Sequence, residues 1–388
     1  MVNQNVLVNE SALQSLADNI RSQNQTTDKI KPSEMIDSIA ELYVEGQGLG
    51  NLTEDQYLSK SATEYTNENN TIIGSYAFAA FDKLQTVECP KLMIIKESAF
   101  RDCTSLTSVS SSNLYKIEDN AFYSDKALSS IDLSNAVEIG KYAFAYCKSL
   151  KEVSLPKATH IGDHAFQNCY CTKISAPLIT EIPSSFAAQL SFDSSALKEL
   201  DINWNNITKI GSSAFSSVNF SLLGYTDINT PNATELGQSA FYKTSITSIT
   251  ANNVEFVRNS CFNNCTSLKS AELKNATIIE TDAFAYCSSL TSIDIPNVET
   301  IQARAFNSAR VSKIDLHKKA KIYSLPASSY LKTLILRSSE KCITSSAVTL
   351  SSTTKLYVPA TLVDEYKADS ILGKCTILSI EDNPDVCE

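Results

Sequence analysis

Histidine and cysteine are the side chains in this sequence that could do metal or nucleophilic chemistry. The three histidines are His160, His164 and His317. His160 and His164 are four residues apart, as two metal ligands on one helix would be. However, Ile161-Gly162 between them predicts a bend, so we interpret both as single surface residues. The sequence also lacks nucleophile-elbow, phosphate-loop and metalloprotease-helix motifs. We therefore predict no catalytic residue, no cofactor and no metal.

The eleven cysteines do not have the spacing of a metal site. Cys169-x-Cys171 and Cys261-x₃-Cys265 each lack a matching second pair of ligands. Five cysteines instead recur at one phase of a sequence repeat, at Cys103, Cys147, Cys169, Cys265 and Cys287. This pattern predicts a ladder of buried free thiols acting as small apolar residues, which fits folding in a reducing cytosol.

The only tryptophan, Trp204, is a candidate for ligand binding. It lies in Asn203-Trp-Asn-Asn206, where the repeat spacing becomes irregular, and Tyr225 follows in the next long unit. Extra residues in a repeat protein often mark a binding face, and an aromatic side chain between amides suits a sugar or a protein hot spot. Alternatively, Trp204 caps the core where the spacing changes. The candidate ligand-binding residues here are Trp204, Asn205 and Tyr225.

A second candidate surface consists of outward positions on a series of predicted strands. Hydroxyl and carboxylate side chains alternate there with buried aliphatic residues, and four of the carboxylates are candidate ligand-binding residues: Asp132, Glu152, Asp294 and Asp315. Such a ladder could bind carbohydrate hydroxyls or a polar protein partner. The plainer interpretation is that any soluble sheet needs a polar outer face.

A phenylalanine repeat defines the elements that must position these residues. A step of 22 residues separates Phe78, Phe100, Phe122, Phe144 and Phe166, and again Phe262, Phe284 and Phe306, while Phe186, Phe215 and Phe241 keep the pattern at looser spacing. A sustained period of this length indicates a solenoid whose coils bury their apolar faces against one another.

Each repeat carries the same columns around its Phe. An aliphatic residue stands five positions earlier, often followed by Gly, as at Gly140 and Gly162. Because Gly adopts positive φ readily, we expect a tight bend there. An alternating run such as Leu150–Pro156 predicts a strand with one buried face. The Ala-Phe-x-x-Cys stretch places three residues on one helical turn, which predicts a short helix or 3₁₀ turn in each coil.

These columns resemble the BspA-like leucine-rich-repeat family, whose units read L-x-x-I-x-L-P…I-G-x-x-A-F-x-x-C. The segment Lys141–Pro156 matches this pattern closely, and the resemblance covers about residues 71–336. It implies an α+β leucine-rich-repeat solenoid of about 11 repeats of about 22 residues, with stacked parallel strands and short helices. We divide the chain into an N-terminal helical module and linker (1–50), the solenoid (51–336) and a capping segment (337–388).

The two ends carry a further resemblance. Apolar residues at helical spacing predict two short amphipathic helices before residue 50. Ala12–Arg21 and Thr27–Ile36 resemble a module of tail-associated proteins from phages and prophages of Gram-positive bacteria. Lys355–Lys367 resembles the Y-V-P-x-x-L-V-x-x-Y-K segment that closes such proteins, and predicts a last strand, a Pro stop and a short helix.

Composition limits the possible partners. The net charge is −10 and the pI about 5, which disfavours nucleic-acid binding because phosphate needs clustered Lys and Arg. No apolar run reaches the roughly 20 residues that span a bilayer. The N-terminus lacks the basic start and apolar stretch of a signal peptide. If Met1 is the native start, we expect no export by that route; a signal sequence encoded further upstream is the alternative.

These observations predict a non-catalytic binding protein. Our first interpretation is a phage or prophage tail protein, assembled in the bacterial cytoplasm and carried in the virion. Residues 1–50 would bind the tail or baseplate or self-associate, and the solenoid would recognise a bacterial surface glycan or protein. The alternative is a BspA-like adhesin at the bacterial cell surface that binds a host protein or glycan.

Overall fold

The computed structural model describes residues 61–187, 197–323, 325, 330–343, 350–369, 372 and 375–387. The predicted helical module at 1–50 lies outside the described residues. Within them the chain winds in successive coils, in which long strands alternate with short ones and tight turns join them.

The long strands pair in parallel, in four sheets of three or four strands. The described residues contain fifteen of them: Glu64–Thr66, Thr86–Glu88, Ser108–Ser110, Ser130–Ile131, Glu152–Ser154, Lys173–Ser175, Glu199–Asp201, Asp227–Asn229, Ser248–Thr250, Ser270–Glu272, Ser292–Asp294, Lys313–Leu316, Thr333–Leu336, Lys355–Val358 and Thr376–Ser379.

The short strands form a second parallel ladder, in one sheet of five and one of seven strands. The described residues contain twelve of them: Ile72–Ile73, Ile94–Ile95, Lys116–Ile117, Glu138–Ile139, His160–Ile161, Glu181–Ile182, Lys209–Ile210, Glu235–Leu236, Phe256–Val257, Ile278–Ile279, Thr300–Ile301 and Lys321–Ile322.

The register of the strands follows the sequence repeat. Val87 pairs with Tyr65 on one side and Val109 on the other, so equivalent positions of neighbouring coils stack directly. Val87 and Val109 are buried, whereas the next residues, Glu88 and Ser110, are exposed. The parallel repeat solenoid and its alternating strands are therefore confirmed.

The phenylalanines stack in two runs along the core. From Phe78 to Phe166 successive ring centroids are 5.1–5.5 Å apart and the rings are within 9° of parallel. From Phe241 to Phe306 the spacing is again 5.1–5.5 Å, with angles of 4–10°. These rings are almost fully buried, so each coil covers the ring of its neighbour.

The stack breaks at Phe186. Its ring is 6.3 Å from that of Phe215 and nearly perpendicular to it, at 85°. Ala187, one residue later, makes the backbone bond that the Phe makes in regular coils: Ala187 N–H donates to the Ala214 carbonyl at 2.8 Å. Phe186 therefore stands one residue out of register, which alters the packing at the start of the irregular coils.

We predicted a short helix or a 3₁₀ turn for each Ala-Phe stretch, and the helix alternative is wrong. The stretch is a series of turns: Cys103 N–H bonds to the Phe100 carbonyl at 3.0 Å, whereas Phe100 N–H bonds to Ala121 of the next coil at 2.8 Å. Asp102 lies between them with φ of 62°, and its N–H also reaches the next coil, at Tyr123. Successive backbone N–H groups of the stretch bond alternately to a carbonyl of their own coil and to one of the next coil. A continuous helix therefore does not form there. The helices of the described residues are the 3₁₀ segments Trp204–Asn206, Phe220–Leu223 and Ala360–Leu362, and the α-helices Val363–Lys367 and Pro384–Cys387.

The glycines after the aliphatic column also act differently from the prediction. Among described glycines, only Gly224 has positive φ, at 81°. A Cβ on Gly162 would lie 2.5 Å from the backbone nitrogen of Lys141, and one on Gly140 would lie 2.5 Å from Asp119 N. These glycines are needed because neighbouring coils approach too closely for a side chain.

The parallel ladder continues beyond Lys355–Val358, which we expected to be the last strand, to Thr376–Ser379. In these final coils the outward positions become apolar, and Ile335 and Tyr357 are buried against Leu378 and Ile380. The C-terminal turn lies close by, since the Lys313 ammonium donates to the Val386 carbonyl at 3.0 Å.

Candidate functional site

The described residues offer no candidate metal centre. They contain no group of three His, Cys, Asp or Glu side chains that could hold a metal ion. None of the helices in this part of the chain is long and apolar enough to cross a membrane. All ten cysteines whose side chains are described are free.

The cysteine column has a packing role. Cys147 Sγ donates to the Phe122 carbonyl of the preceding coil at 3.1 Å, and Cys287 Sγ to Phe262 at 3.0 Å. Burial raises the pKa of the Cys265 thiol to about 12. A thiol that stays protonated is a poor nucleophile and a poor metal ligand. These side chains therefore link coils rather than react.

The two neighbouring histidines lie in different elements. His160 begins a short strand and pairs with Glu138 of the preceding coil. His164 lies in the following turn with φ of 61°, and its ring stacks on Tyr142 with centroids 4.8 Å apart. They do not share a helical turn.

The structure brings Trp204 and Tyr225 together. Trp204 begins a 3₁₀ segment capped by the Asn203 side chain. Its half-buried ring lies 5.4 Å from Phe215 and 6.4 Å from Phe220, and the Tyr225 ring lies 5.8 Å from Phe220. These three contacts form an aromatic cluster that joins the irregular coils.

The polar edge of this cluster is incompletely paired. The Tyr225 hydroxyl is buried and forms no well-aligned hydrogen bond with any described residue. Burial raises the pKa of Tyr225 to about 12, although the nearby Trp204 indole partly opposes that rise. Asn205 is exposed beside Trp204. The cluster leaves Trp204 partly exposed to solvent, beside the exposed Asn205 side chain.

Glu152, Asp294 and Asp315 lie on one surface, which we call the outer sheet face: the outward side chains of the long strands from Glu64 to Asp315. Asp132 directly follows the strand Ser130–Ile131, at the position equivalent to Ser110. The four candidate carboxylates occupy different coils. Asp132 and Glu152 belong to successive coils before the aromatic cluster, whereas Asp294 and Asp315 belong to successive coils after it. The structure thus places the carboxylates in two groups of successive coils, and not at one site.

Their local partners differ. Asp315 forms a bidentate ion pair with Arg337, with N–O distances of 2.8 and 2.7 Å. Asp132 accepts a hydrogen bond from Ser134 N–H at 2.9 Å. Glu152 and Asp294 are exposed and form no ion pair within the described residues. Glu152 and Asp294 are therefore the most available anions of the four.

The long strands carry a marked excess of negative charge. Nine acidic residues lie within them, at Glu64, Glu88, Glu152, Glu199, Asp201, Asp227, Glu272, Asp294 and Asp315, against three basic ones at Lys173, Lys313 and Lys355. Hydroxyls orient some of these carboxylates: Ser248 and Thr247 donate to Asp227 Oδ1 at 2.7 Å. These bonds lower the pKa of Asp227, so it stays ionised.

In the short-strand ladder, Lys and Glu side chains on neighbouring strands form ion pairs. Lys116 lies 3.3 Å from Glu138, and Lys209 lies 3.2 Å from Glu235, across neighbouring strands. Opposite charges directly across a strand pair neutralise each other and stabilise the sheet. The excess acid is thus a property of the outer sheet face.

An asparagine column was missed by the sequence analysis. In five coils an Asn side chain donates to a carbonyl of the preceding coil at 2.7–2.8 Å: Asn113, Asn135, Asn232, Asn253 and Asn297. Each stands four residues before the aliphatic column, as Asn135 precedes Ile139. This constant position of Asn within the repeat was the sequence signal that could have revealed the column.

The comparison with known families settles the type of repeat. The profile of the BspA type leucine rich repeat region matches at residues 71–190, 138–269, 186–309 and 257–371, most of the chain. The chain belongs to the BspA-type leucine-rich-repeat family. BspA-type proteins are surface or adhesion-type repeat proteins, and their leucine-rich-repeat fold is typical of proteins that bind other proteins. No functionally curated protein matches this chain.

Solved structures of bacterial repeat proteins are similar to this BspA-type chain. A leucine-rich repeat protein from Bacteroides ovatus is 23% identical, with 82% of this chain and 92% of that one covered and a TM-score of 0.49. A leucine rich cell surface protein from Faecalibacterium prausnitzii is 23% identical, with 63% and 76% covered and a TM-score of 0.38. The pneumococcal vaccine antigen PcpA is 17% identical, with 82% and 89% covered and a TM-score of 0.43.

Proposed function

We propose that this BspA-type chain is a bacterial surface adhesin that binds a protein partner through its outer sheet face. The observation that carries the proposal is the excess of acid on that face: its strands carry nine carboxylates against two cations, and only Glu199, Glu272 and Asp315 of the nine are ion-paired within the described residues. Complementary charge steers association and selects partners. The expected partner therefore presents clustered Lys and Arg side chains.

The candidate residues have distinct roles in this proposal. Glu152 and Asp294, exposed and free of ion pairs in the described chain, make direct contacts with the partner. Asp132 and Asp315 add to the local negative potential. The partly exposed Trp204 with Asn205 and Tyr225 supplies an anchoring contact between the two groups of carboxylates, as aromatic side chains do in many interfaces.

Binding assays on immobilised proteins test this function. The labelled full-length chain is applied to a panel of purified host extracellular proteins of low and high pI, at low and at raised salt. We expect saturable binding to basic members of the panel, weakened by salt because exposed charge pairs are screened. Binding confined to acidic or neutral proteins, or unaffected by salt, would contradict the proposal.

A role in a phage tail is a second candidate, supported by the sequence of residues 12–36 and of Lys355–Lys367. It predicts that antibodies against the repeat region decorate released particles after prophage induction in the source organism. Labelling of the cell envelope in the absence of particles would favour the adhesin and exclude the tail role.

A further inference from the structure

A polar depression lies away from the outer sheet face, on the side of the solenoid formed by the Phe turns. Its volume is about 170 Å³. Three residues from each of three successive coils line it, among them Ser217 and Asn219, Lys243 and Ser245, and Asn264 and Ser267. These are the coils of Phe215, Phe241 and Phe262, where the irregular spacing returns to the regular one. The depression therefore depends on side chains that are distant in sequence.

The backbone places one residue from each coil at the same point. Ser217, Lys243 and Asn264 each stand two residues after a core Phe, with φ of 64°, 57° and 62°. Their N–H groups bond to the following coil, as Ser217 does to the Tyr242 carbonyl at 2.7 Å. Left-handed backbone disfavours long side chains, yet Lys243 stands there. Within the described coils it is the only cation in this column.

Lys243 has no acidic partner in the described chain. Its ammonium lies over the Tyr242 ring, 5.1 Å from the centroid, and is absent from the ion pairs that engage lysines such as Lys209 and Lys173. No carboxylate lines the depression. The site is thus a positive point on a chain whose net charge is −10, which favours an anionic ligand.

The uncharged lining is held in place by internal bonds. Ser245 Oγ donates to Asn219 Oδ1 at 2.8 Å, and Ser221 N–H donates to the Ser245 and Asn219 oxygens at 3.0 and 3.2 Å. The Asn264 side-chain amide donates a hydrogen bond to Asn263 Oδ1 at 2.8 Å. Side chains fixed in this way need little further ordering when a ligand binds.

We propose that this depression binds a monosaccharide that carries a carboxylate, as a free sugar acid or as the end of a glycan. The ligand carboxylate would pair with Lys243, and the ring hydroxyls would bond to Ser217, Asn219 and Asn264. Fixed amides and hydroxyls match sugar hydroxyls as both donors and acceptors. This deepens the proposed function of surface recognition, because it adds a glycan subsite remote from the protein-binding face.

Ligand-observed saturation-transfer NMR on the full chain tests the inference. The probes are D-glucuronate and N-acetylneuraminate, with D-glucose and acetate as controls, at about 10 mM because single sugars bind with roughly millimolar Kd. Sugar acids should give signals that exceed those of either control. Equal signals from acetate would indicate a simple anion site, and absence of signal from both sugar acids would also overturn the proposal.

A pair of variants locates the binding. Lys243→Gln should weaken sugar-acid binding about tenfold, as expected for a lost charge-assisted bond. Lys126→Gln, also exposed and in a Phe turn, should leave it unchanged, and thermal unfolding verifies that both variants fold. Equal loss in both, or none in either, overturns the assignment to this depression. Neither outcome alters salt-sensitive binding of basic proteins, which tests the proposed function separately.

Discussion

At the scale of single residues, Asp125 is the side chain that fits its surroundings least well. It occupies the cysteine column, three residues after Phe122, and is fully buried. Its Oδ1 accepts a bond from Cys103 N–H at 2.8 Å, whereas its Oδ2 has no partner among the described residues. Burial raises the pKa of Asp125 well above its usual range, and the nearby Asp102 charge adds to the rise.

This arrangement predicts a pH-dependent stability. The raised pKa means that Asp125 binds its proton more tightly in the folded chain. Its contribution is therefore fully present below the unfolded-state pKa, about 3.9, and is lost as pH rises through the folded-state pKa. Asp125→Asn should gain stability relative to the parent chain between pH 4 and 8, by roughly 1–3 kcal/mol.

Urea midpoints at the two pH values measure this difference. Asp132→Asn is the control, because it makes the same substitution at an exposed position. A gap between Asp125→Asn and the parent that is the same at both pH values would show that Asp125 does not titrate.

Substitution of Trp204 should have separate, independently measurable effects on packing and on binding. Its half-buried ring packs on Phe215 and Phe220, so Trp204→Ala should lower the free energy of unfolding by about 2 kcal/mol, below the cost for a fully buried aromatic residue. If its exposed part also contacts the partner, binding per folded molecule falls as well. Unfolding midpoints together with partner titrations measure both effects. Unchanged binding per folded molecule would leave Trp204 with the packing role alone.

At the scale of the coil, the sequence predicts the strands but not the turn. Alternation of Val87 with polar neighbours is visible within one repeat. The Ala-Phe-x-x-Cys spacing fits a helical turn equally well, and what decides against helix is the bond from Phe100 N–H to the next coil. Bonds between coils leave no local pattern. For the same reason the roles of Gly162 and of Asn135 appear only when the coils are stacked.

The glycine column predicts a sharp contrast between two identical substitutions. In Gly162→Ala the new Cβ would lie 2.5 Å from Lys141 N, so the coils must separate, which costs about 1–3 kcal/mol. A Cβ on Gly74, at the same repeat position, would meet nothing within 4 Å. Denaturant midpoints should fall for Gly162→Ala and stay level or rise for Gly74→Ala. Equal midpoints would show that close approach of the coils is not what requires Gly.

At the scale of the whole molecule, the predicted site residues were only partly assembled by the fold. Strand phase places Glu152, Asp294 and Asp315 on one face, as the sequence predicted, whereas Asp132 directly follows its strand. The proximity of Trp204 and Tyr225 and the pairing of Asp315 with Arg337 depend on contacts between coils. The depression around Lys243 could not be predicted, because each coil contributes only two of the lining residues named above.

The central claim is that the acidic outer sheet face binds the partner. Binding isotherms for three proteins against one basic partner test it most directly: the parent chain, Glu152→Gln/Asp294→Asn, and Asp364→Asn/Glu365→Gln. The last pair removes the same charge from the exposed side of the Val363–Lys367 helix. We predict about 2- to 30-fold weaker binding for the first variant, as expected for two exposed charge pairs, and parental binding for the second. Equal binding by all three proteins, or equal loss in both variants, would contradict the claim.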